Sequence, residues 1–563
     1  MNEIRFDSYY KYDEITSFIQ QWAEKYPQLC QYESIGESYE GRDIWLVTIT
    51  NQATGGHSDK PAFWVDGNIH ATEVAPSSAA LYLINMLLTG YEEDERIRYA
   101  LDSRTFYIVP RVNPDGAEWA LADKPKFIRS STKPYPRDKQ QPGLYEEDVD
   151  GDGRILQMRV KDPNGDWKKH PDEPRLMIKR GADEPPGGDF YRLLPEGVIE
   201  EYDGLTIPMA PSLYGLDLNR QFPLNWSLEL VSSGDFPASE PEPRAVVTAV
   251  VARPNITGAI TFHTFCGVHL RPLTTGPDSD LPLQDMRTYK KLGKVAEEMT
   301  GYPAISVFQD FAYNPKQPIG GTFDDWMYEH LGVYAWTTEI WSIRRQAGLK
   351  DYKYIEWFGE HPTEDDEVLL KWNDDVLEGK GFVPWYEVEH PQLGTVELGG
   401  WDVMTTWRNP PLALLEAEIG PLAEFALYQA LVSPKLEIFK VEVTAQGGDI
   451  YRIRLGVENS GWLPTNVSEM ALKAKATRAL ELSVEVGEGG ELVSGKRVQE
   501  KGHLAGRDGL GAFGIWTSNP TTNRAVGEWV VKGAEGTEIV LTADQPRGGR
   551  VQATVILGED SGE

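Results

Sequence analysis

Near the N-terminus, Ile15, Phe18, Ile19, Trp22 and Tyr26 recur at the three-and-four spacing that lines one face of a helix, and Pro27 ends the run. Two short apolar runs, 44–49 and 62–65, read as strands. The stretch 77–88 reads as an apolar helix, and 105–112 as a further strand. The rhythm resumes with a helix over 242–251, a strand over 256–262, a helix over 283–299 and a strand over 333–338. Buried strands alternating with helices predict an α/β fold, an α/β/α sandwich around a mixed, mostly parallel central sheet. Such sheets hold their chemistry in the loops beyond the carboxyl ends of the strands.

Two segments break this rhythm. Residues 117–213 are polar and rich in Pro, Gly and Asp. A structureless connection of that length is uncommon inside a domain, so it reads as a functional insertion or a small subdomain. After a last helix over 412–431 and the pair Ser433-Pro434, short alternating runs at 438–443, 450–457, 529–531, 538–542 and 551–557 lie between Gly-rich turns. They predict an all-β sandwich over 435–563, following a catalytic-type domain over 1–432.

Composition narrows the function classes. The 563 residues include 55 Lys and Arg against 87 Asp and Glu, a formal charge of −32. A surface this acidic repels phosphate backbones, which excludes a general nucleic-acid partner and favours cationic or peptide-like ligands. Cys30 and Cys266 are too few for a disulfide framework. Segment 1–12 mixes Glu3, Arg5, Asp7 and Lys11 and so lacks the apolar core of a secretory signal. The longest apolar stretch, 74–88, is broken by Pro76, Ser77, Ser78 and Asn85. These features predict a cytoplasmic protein with no membrane span.

Candidate chemistry sits just past the predicted strands. The strand at 62–65 leads into Asp66-Gly67-Asn68-Ile69-His70-Ala71-Thr72-Glu73, and an imidazole and a carboxylate three residues apart there can converge on one divalent metal. The strand at 256–262 runs directly into His263; His269, beyond it, is the rival third ligand. Further motifs are Asn113-Pro114-Asp115-Gly116, Asp217-Leu218-Asn219-Arg220 and, closing a buried strand, Thr337-Thr338-Glu339.

In chain order, His70 to Glu73, Asn113 to Gly116, Asp217 to Arg220, His263 and Thr337 to Glu339, the five motifs resemble those of the zinc metallocarboxypeptidase family, of the carboxypeptidase A and B type. The resemblance covers roughly residues 8–430. It implies one zinc per chain held by His70, Glu73 and His263, and hydrolysis of the C-terminal peptide bond by zinc-activated water with Glu339 as general base. It implies that Asn219 and Arg220 grip the free C-terminal carboxylate of a peptide substrate, a task for which a guanidinium fork is shaped. Arg129 is the candidate for stabilising the oxyanion, with Arg137 as competitor, and Tyr313 for capping the bound substrate. Asp324 takes the position that selects the departing side chain. Members with an acid there prefer Lys or Arg, unless the extra residue in Thr322-Phe323 turns Asp324 away and leaves Phe323 in the pocket. Thr72 stands where better-known members carry Arg, which predicts a weaker subsite upstream of the scissile bond. Phe265 and Cys266 also depart from the usual pattern, and Cys266 reads as a small packed residue.

Inside the insertion, Asp148, Asp150 and Asp152, followed by Gly153 and Ile155, copy the front of a calcium loop, although Arg159 stands where the closing Glu is expected. A calcium staple and a solvated Asp/Gly turn are both compatible with that text. Two other functions compete with the peptidase. One is a zinc amidase or deacylase acting on a modified amino acid or a cell-wall peptide. The other is a non-catalytic binding protein, against which the intact Glu339 and ligand set argue.

Overall fold

Along strand Ala62–Gly67 every side chain is buried, and they alternate: Phe63 and Val65 join one apolar layer, Ala62 and Trp64 the other. A strand of this kind needs cover on both faces, and helices supply it. One layer is built with Tyr12–Lys25, Ala75–Gly90, Leu283–Thr300 and Leu412–Leu431, the opposite one with Pro241–Val251 and Phe323–Glu329. The computed structural model describes residues 4–311, 319–350, 352–509 and 519–558. Among them, no helix is long and apolar enough to cross a membrane, and Cys30 and Cys266 are both buried and unpaired.

The central sheet has eight strands, in the order Cys30–Glu37, Asp43–Ile49, Thr105–Val109, Ala62–Gly67, Ile256–Thr264, Tyr334–Ile340, Val268–Arg271, Ala304–Ser306. The four middle strands pair parallel, while antiparallel pairs flank them on either side. The architecture is the mixed α/β/α sandwich expected from the pattern.

The insertion folds into short strands. Gln157–Lys161, Tyr191–Pro195, Trp167–Lys169 and Met177–Lys179 continue an antiparallel sheet begun by the hairpin Phe382–His390 and Gly394–Trp401. That hairpin was not read from the sequence. Its outer strand is an edge carrying Pro384 and the exposed Glu387 and Glu389, features an edge tolerates and a central strand does not.

From Leu436 onward two antiparallel four-stranded sheets face each other, one led by Leu436–Gly447 and the other centred on Glu481–Val486 and Glu538–Gln545. Ile453, Leu455, Leu482, Val484, Trp529 and Leu541 interdigitate between them as the core of a β-sandwich.

Candidate active site

Asp66 and Gly67 end their strand opposite Thr261 and Phe262 of the parallel neighbour, and His263 lies in register with Glu339 on the strand beyond. Backbone pairing therefore delivers the ligand loop, His263 and Glu339 to one end of the sheet. The loop turns sharply at Asn68, whose φ is 60°. Its side chain donates to His70 O at 2.7 Å and accepts from Ser77. A Cβ on Gly67 would lie 2.9 Å from the backbone of Pro76, so the close approach of the following helix requires glycine there.

His70 Nδ1 lies 2.9 Å from one oxygen of Glu73, and His263 Nδ1 lies 3.1 Å from the other. The two Nδ1 atoms are 3.1 Å apart, and all three side chains are buried. Two imidazole nitrogens and a carboxylate converging with their ligand atoms inward form the N₂O donor set that suits zinc with one position left open. The residues present therefore fit the metal. Burial alone would raise the Glu73 carboxyl, but the two imidazoles outweigh it and hold it well below the usual carboxylate range.

Asp217 organises the rest. One oxygen lies 3.2 Å from His70 Nε2, the other accepts from Arg129 Nε at 2.9 Å, and the carboxylate also caps the turn Leu218–Arg220 through Asn219 N. A carboxylate behind a ligand histidine fixes its ring orientation and tautomer. Although buried, Asp217 stays well below its ordinary acidity range because Arg129, Arg220 and His70 surround it. The sequence offered it only as the first letter of a motif. Arg129 reaches Glu73 as well, at 3.4 Å, whereas its competitor Arg137 is exposed on the surface. Asn113 explains the Asn-Pro-Asp-Gly motif: its amide donates to Ile69 O and Ser130 O and so ties the ligand loop to the Arg129 loop.

Asn219 accepts from Phe323 N at 3.0 Å, which fixes the start of the helix bearing Asp324. Arg220 donates to Asn219 O at 2.8 Å and is largely buried. Gly321 closes over it, with φ 71°, where a Cβ would meet Arg220 O at 2.2 Å. The extra residue before the Asp pair is absorbed by Phe323, which packs against Phe222 at 5.3 Å in the core. Asp324, only 2% exposed, remains close enough to Glu339 for its charge to be felt there. Burial first, then Glu73 and Asp324, raise the Glu339 carboxyl well above its ordinary range, against Arg129 and Arg408. Tyr313 lies outside the described residues.

His269 belongs to the core. Its two ring nitrogens each meet a hydroxyl at 2.9 Å, from Thr338 and Thr300, and burial pushes its pKa down to about 3. Burial likewise pushes the Cys266 thiol up to about 12, leaving a packed, unreactive group.

Two site neighbours were missed in the sequence. Arg408, on the turn Val403–Arg408, reaches within 4.0 Å of Glu73. Asn409 accepts from Val74 N and Ala75 N and donates to Thr72 O, clamping the ligand loop from the C-terminal side. No motif announces either residue.

The Asp-rich loop differs from expectation. The sequence places Asp148, Asp150 and Asp152 around one cation, but the structure gathers Asp148 and Asp150 with buried Glu196 and turns Asp152 outward to Arg154. Asp148 accepts from Gly151 N and Gly153 N, Glu196 from Val149 N and Leu156 N, and Asp150 from the Tyr386 hydroxyl. The loop is held by its own hydrogen bonds, and a calcium role gains no support from them.

The zinc carboxypeptidase family matches residues 15–361, and a domain of unknown function (DUF8731) matches 435–556. Carboxypeptidase B of Astacus astacus is 27% identical over 373 residues, covering 66% of this chain and 98% of its own. Carboxypeptidase A1 of Rattus norvegicus is 22% identical over 352 residues, covering 62% and 66% respectively. Among solved structures, carboxypeptidase A from Helicoverpa armigera aligns with a TM-score of 0.39 at 17% identity, covering 67% of this chain and 76% of that one. With its match spanning more than half the chain and the cluster at His70, Glu73 and His263 within it, the protein belongs to the zinc carboxypeptidase family.

Proposed function

We propose that this chain is a zinc-dependent metallocarboxypeptidase that removes single residues from the C-terminus of peptides. The convergence of His70, Glu73 and His263 beside Glu339, on a strand in register with His263, carries the reading. When bound, zinc supplies a Lewis acid that polarises the scissile carbonyl and makes water more acidic. Glu339 takes up the proton that water gives away and later returns it to the departing amine. Arg129, fixed by Asp217, donates to the carbonyl oxygen as charge builds on it. Arg220 and Asn219 hold the terminal carboxylate, which limits attack to the last bond.

Elemental analysis beside a peptide panel tests this. Purified protein is expected to carry one zinc and to release free amino acids from peptide C-termini, while His263→Ala loses nearly all tightly bound zinc and its turnover. Full zinc retention in that variant would remove His263 from the ligand set.

Within the same reading, Asp324 selects a basic departing residue. A buried carboxylate on the helix that starts beside Asn219 pairs with Lys or Arg, and a charge of −32 steers cations toward the protein. For peptides differing only in their last residue, kcat/KM is expected to be highest for Arg. Asp324→Ala is expected to remove about 2–5 kcal/mol of that preference. A wild-type preference for Phe over Arg would rule Asp324 out as the selector.

A further inference from the structure

A cavity of about 650 Å³ lies where the C-terminal sandwich meets the N-terminal ends of the central strands. Lys60, just ahead of strand Ala62–Gly67, lines it from one side, and Lys435 and Arg550 line it from the other. The main-chain amide of Arg550 donates to Asp59 O at 2.8 Å and pins the two sides together. Strand Ala62–Gly67 separates this cavity from the ligand loop, its six residues spanning ~20 Å at a rise of ~3.3 Å each. The cavity is therefore remote from His70, Glu73 and His263.

Five charged side chains line it: Asp59, Lys60, Asp102, Lys435 and Arg550. Three of them are engaged. Buried Lys60 donates to Thr50 Oγ1, Asn51 O and Thr54 Oγ1 at 2.9, 2.6 and 2.8 Å. Asp102 accepts from the Asn51 amide and the Tyr91 hydroxyl, and Lys435 pairs with Glu437 at 2.5 Å. Among the described residues, the Asp59 carboxylate and the Arg550 guanidinium form no hydrogen bond and no ion pair, although they share the cavity and have opposite signs. Two unlike charges left unpaired in one cleft suit a ligand that carries both. We propose that this cavity binds a zwitterion with a free α-ammonium and a carboxylate, the form of a free amino acid. The Arg550 fork receives the carboxylate, and the ammonium donates to Asp59. The Lys60 charge, met by neutral oxygens, adds to the local field that draws a carboxylate in. Tyr99, 47% exposed at the same cavity, offers a ring to the ligand's side chain. The volume is ample, within the ~300–1,000 Å³ of ordinary ligand pockets. Free amino acids are what the proposed reaction releases; that source of ligand rests on the carboxypeptidase reading, whereas the site itself does not.

Calorimetric titration of the zinc-loaded full chain with L-leucine, L-phenylalanine and L-arginine tests it, in an Arg220→Ala background that disables the carboxylate grip of the active site. At least one of the three is expected to bind, one per chain, and to raise the melting temperature. Its N-acetyl and amide derivatives, each lacking one of the two charges, are expected to bind about tenfold or more weakly, the scale of one lost charge-assisted hydrogen bond. Asp59→Ala and Arg550→Ala are expected to weaken binding as much. Made singly in the wild-type chain, both leave the unliganded melting temperature and peptide hydrolysis unchanged. A dipeptide of the same residue separates two sources of such a zwitterion: weaker binding assigns the site to the released residue, tighter binding to a shortened peptide. No binding by any of the three, equal binding of the two derivatives, or binding that survives both substitutions overturns the site. Failure of the zinc-loaded wild-type protein to release an amino acid from any peptide overturns the carboxypeptidase reading and this source of ligand, while the binding result stands.

Discussion

Glu339→Gln is expected to keep its zinc and to lose about 10²–10⁴ in kcat, the range that a positioned general base contributes. The two halves of that expectation come from different residues. Metal retention depends on His70, Glu73 and His263, whose ligand atoms converge without help from Glu339. Turnover depends on a carboxylate able to accept a proton next to them, and an amide of the same shape cannot accept one. The substitution is also gentle on the fold: Glu339 pairs through its backbone with His263 and Val268, and those bonds are untouched by the side chain. Removing a carboxylate that sits within Coulomb range of both Glu73 and Asp324 relieves repulsion, so the melting temperature is expected to hold or rise. Zinc content by elemental analysis, kcat on the best peptide and a melting curve together check it. A variant that turns over at near wild-type rate would mean that another group carries the proton.

How much of this was legible in the sequence depended on whether the residues act locally or through the fold. The central strands could be read because strands buried on both faces are continuously apolar, as in 62–65 and 256–262. The three side chains that converge could be picked out as candidates because His70 and Glu73 share one loop and His263 follows a strong strand. Asp217 was visible but its task was not, since gripping a ring and a guanidinium brought from two other loops leaves no local pattern. Arg408 and Asn409 were invisible for the same reason: they reach the ligand loop from more than 300 residues away, on a turn with no periodicity. In the sandwich, the strands Glu491–Ser494 and Val498–Glu500 escaped notice because they are short and largely exposed, with few apolar positions to mark them. His269 shows the opposite case. Its text was ambiguous between ligand and core, and two hydroxyl partners from Thr338 and Thr300 assign it to the core.

A chain ending at Ser433 is expected to fail to fold into a soluble, zinc-loaded domain, even though we propose a domain boundary there. The reason lies in what the C-terminal part gives back to the sheet. Leu463, Val467 and Met470 belong to the same apolar cluster as Tyr289, Tyr328 and Tyr334, so their removal bares a face of the main core. Buried Asp285 accepts from the hydroxyls of Tyr328 and Tyr334 at 2.9 and 3.1 Å and from the backbone amides of Glu469 and Met470 at 2.8 and 3.0 Å. Without the last two, a carboxylate is left under-satisfied next to the helix that carries Asp324 and the strand that carries Glu339. Arg547, buried on the sandwich side, donates to the carbonyls of Leu331 and Gly332, and their loss leaves two more groups unpaired. Each stranded buried group costs about 1–3 kcal/mol, and a typical domain has only about 5–15 kcal/mol to lose. Solubility, far-UV circular dichroism and zinc content of 1–433 beside the full chain decide it. A soluble truncated domain with full zinc and a melting temperature within a few degrees of the intact protein would show that the shared interface is dispensable. Asp285→Ala in the full chain separates polar from apolar contributions. It keeps Leu463, Val467 and Met470 in place, so a large fall in melting temperature there assigns the coupling to the four donors that Asp285 serves.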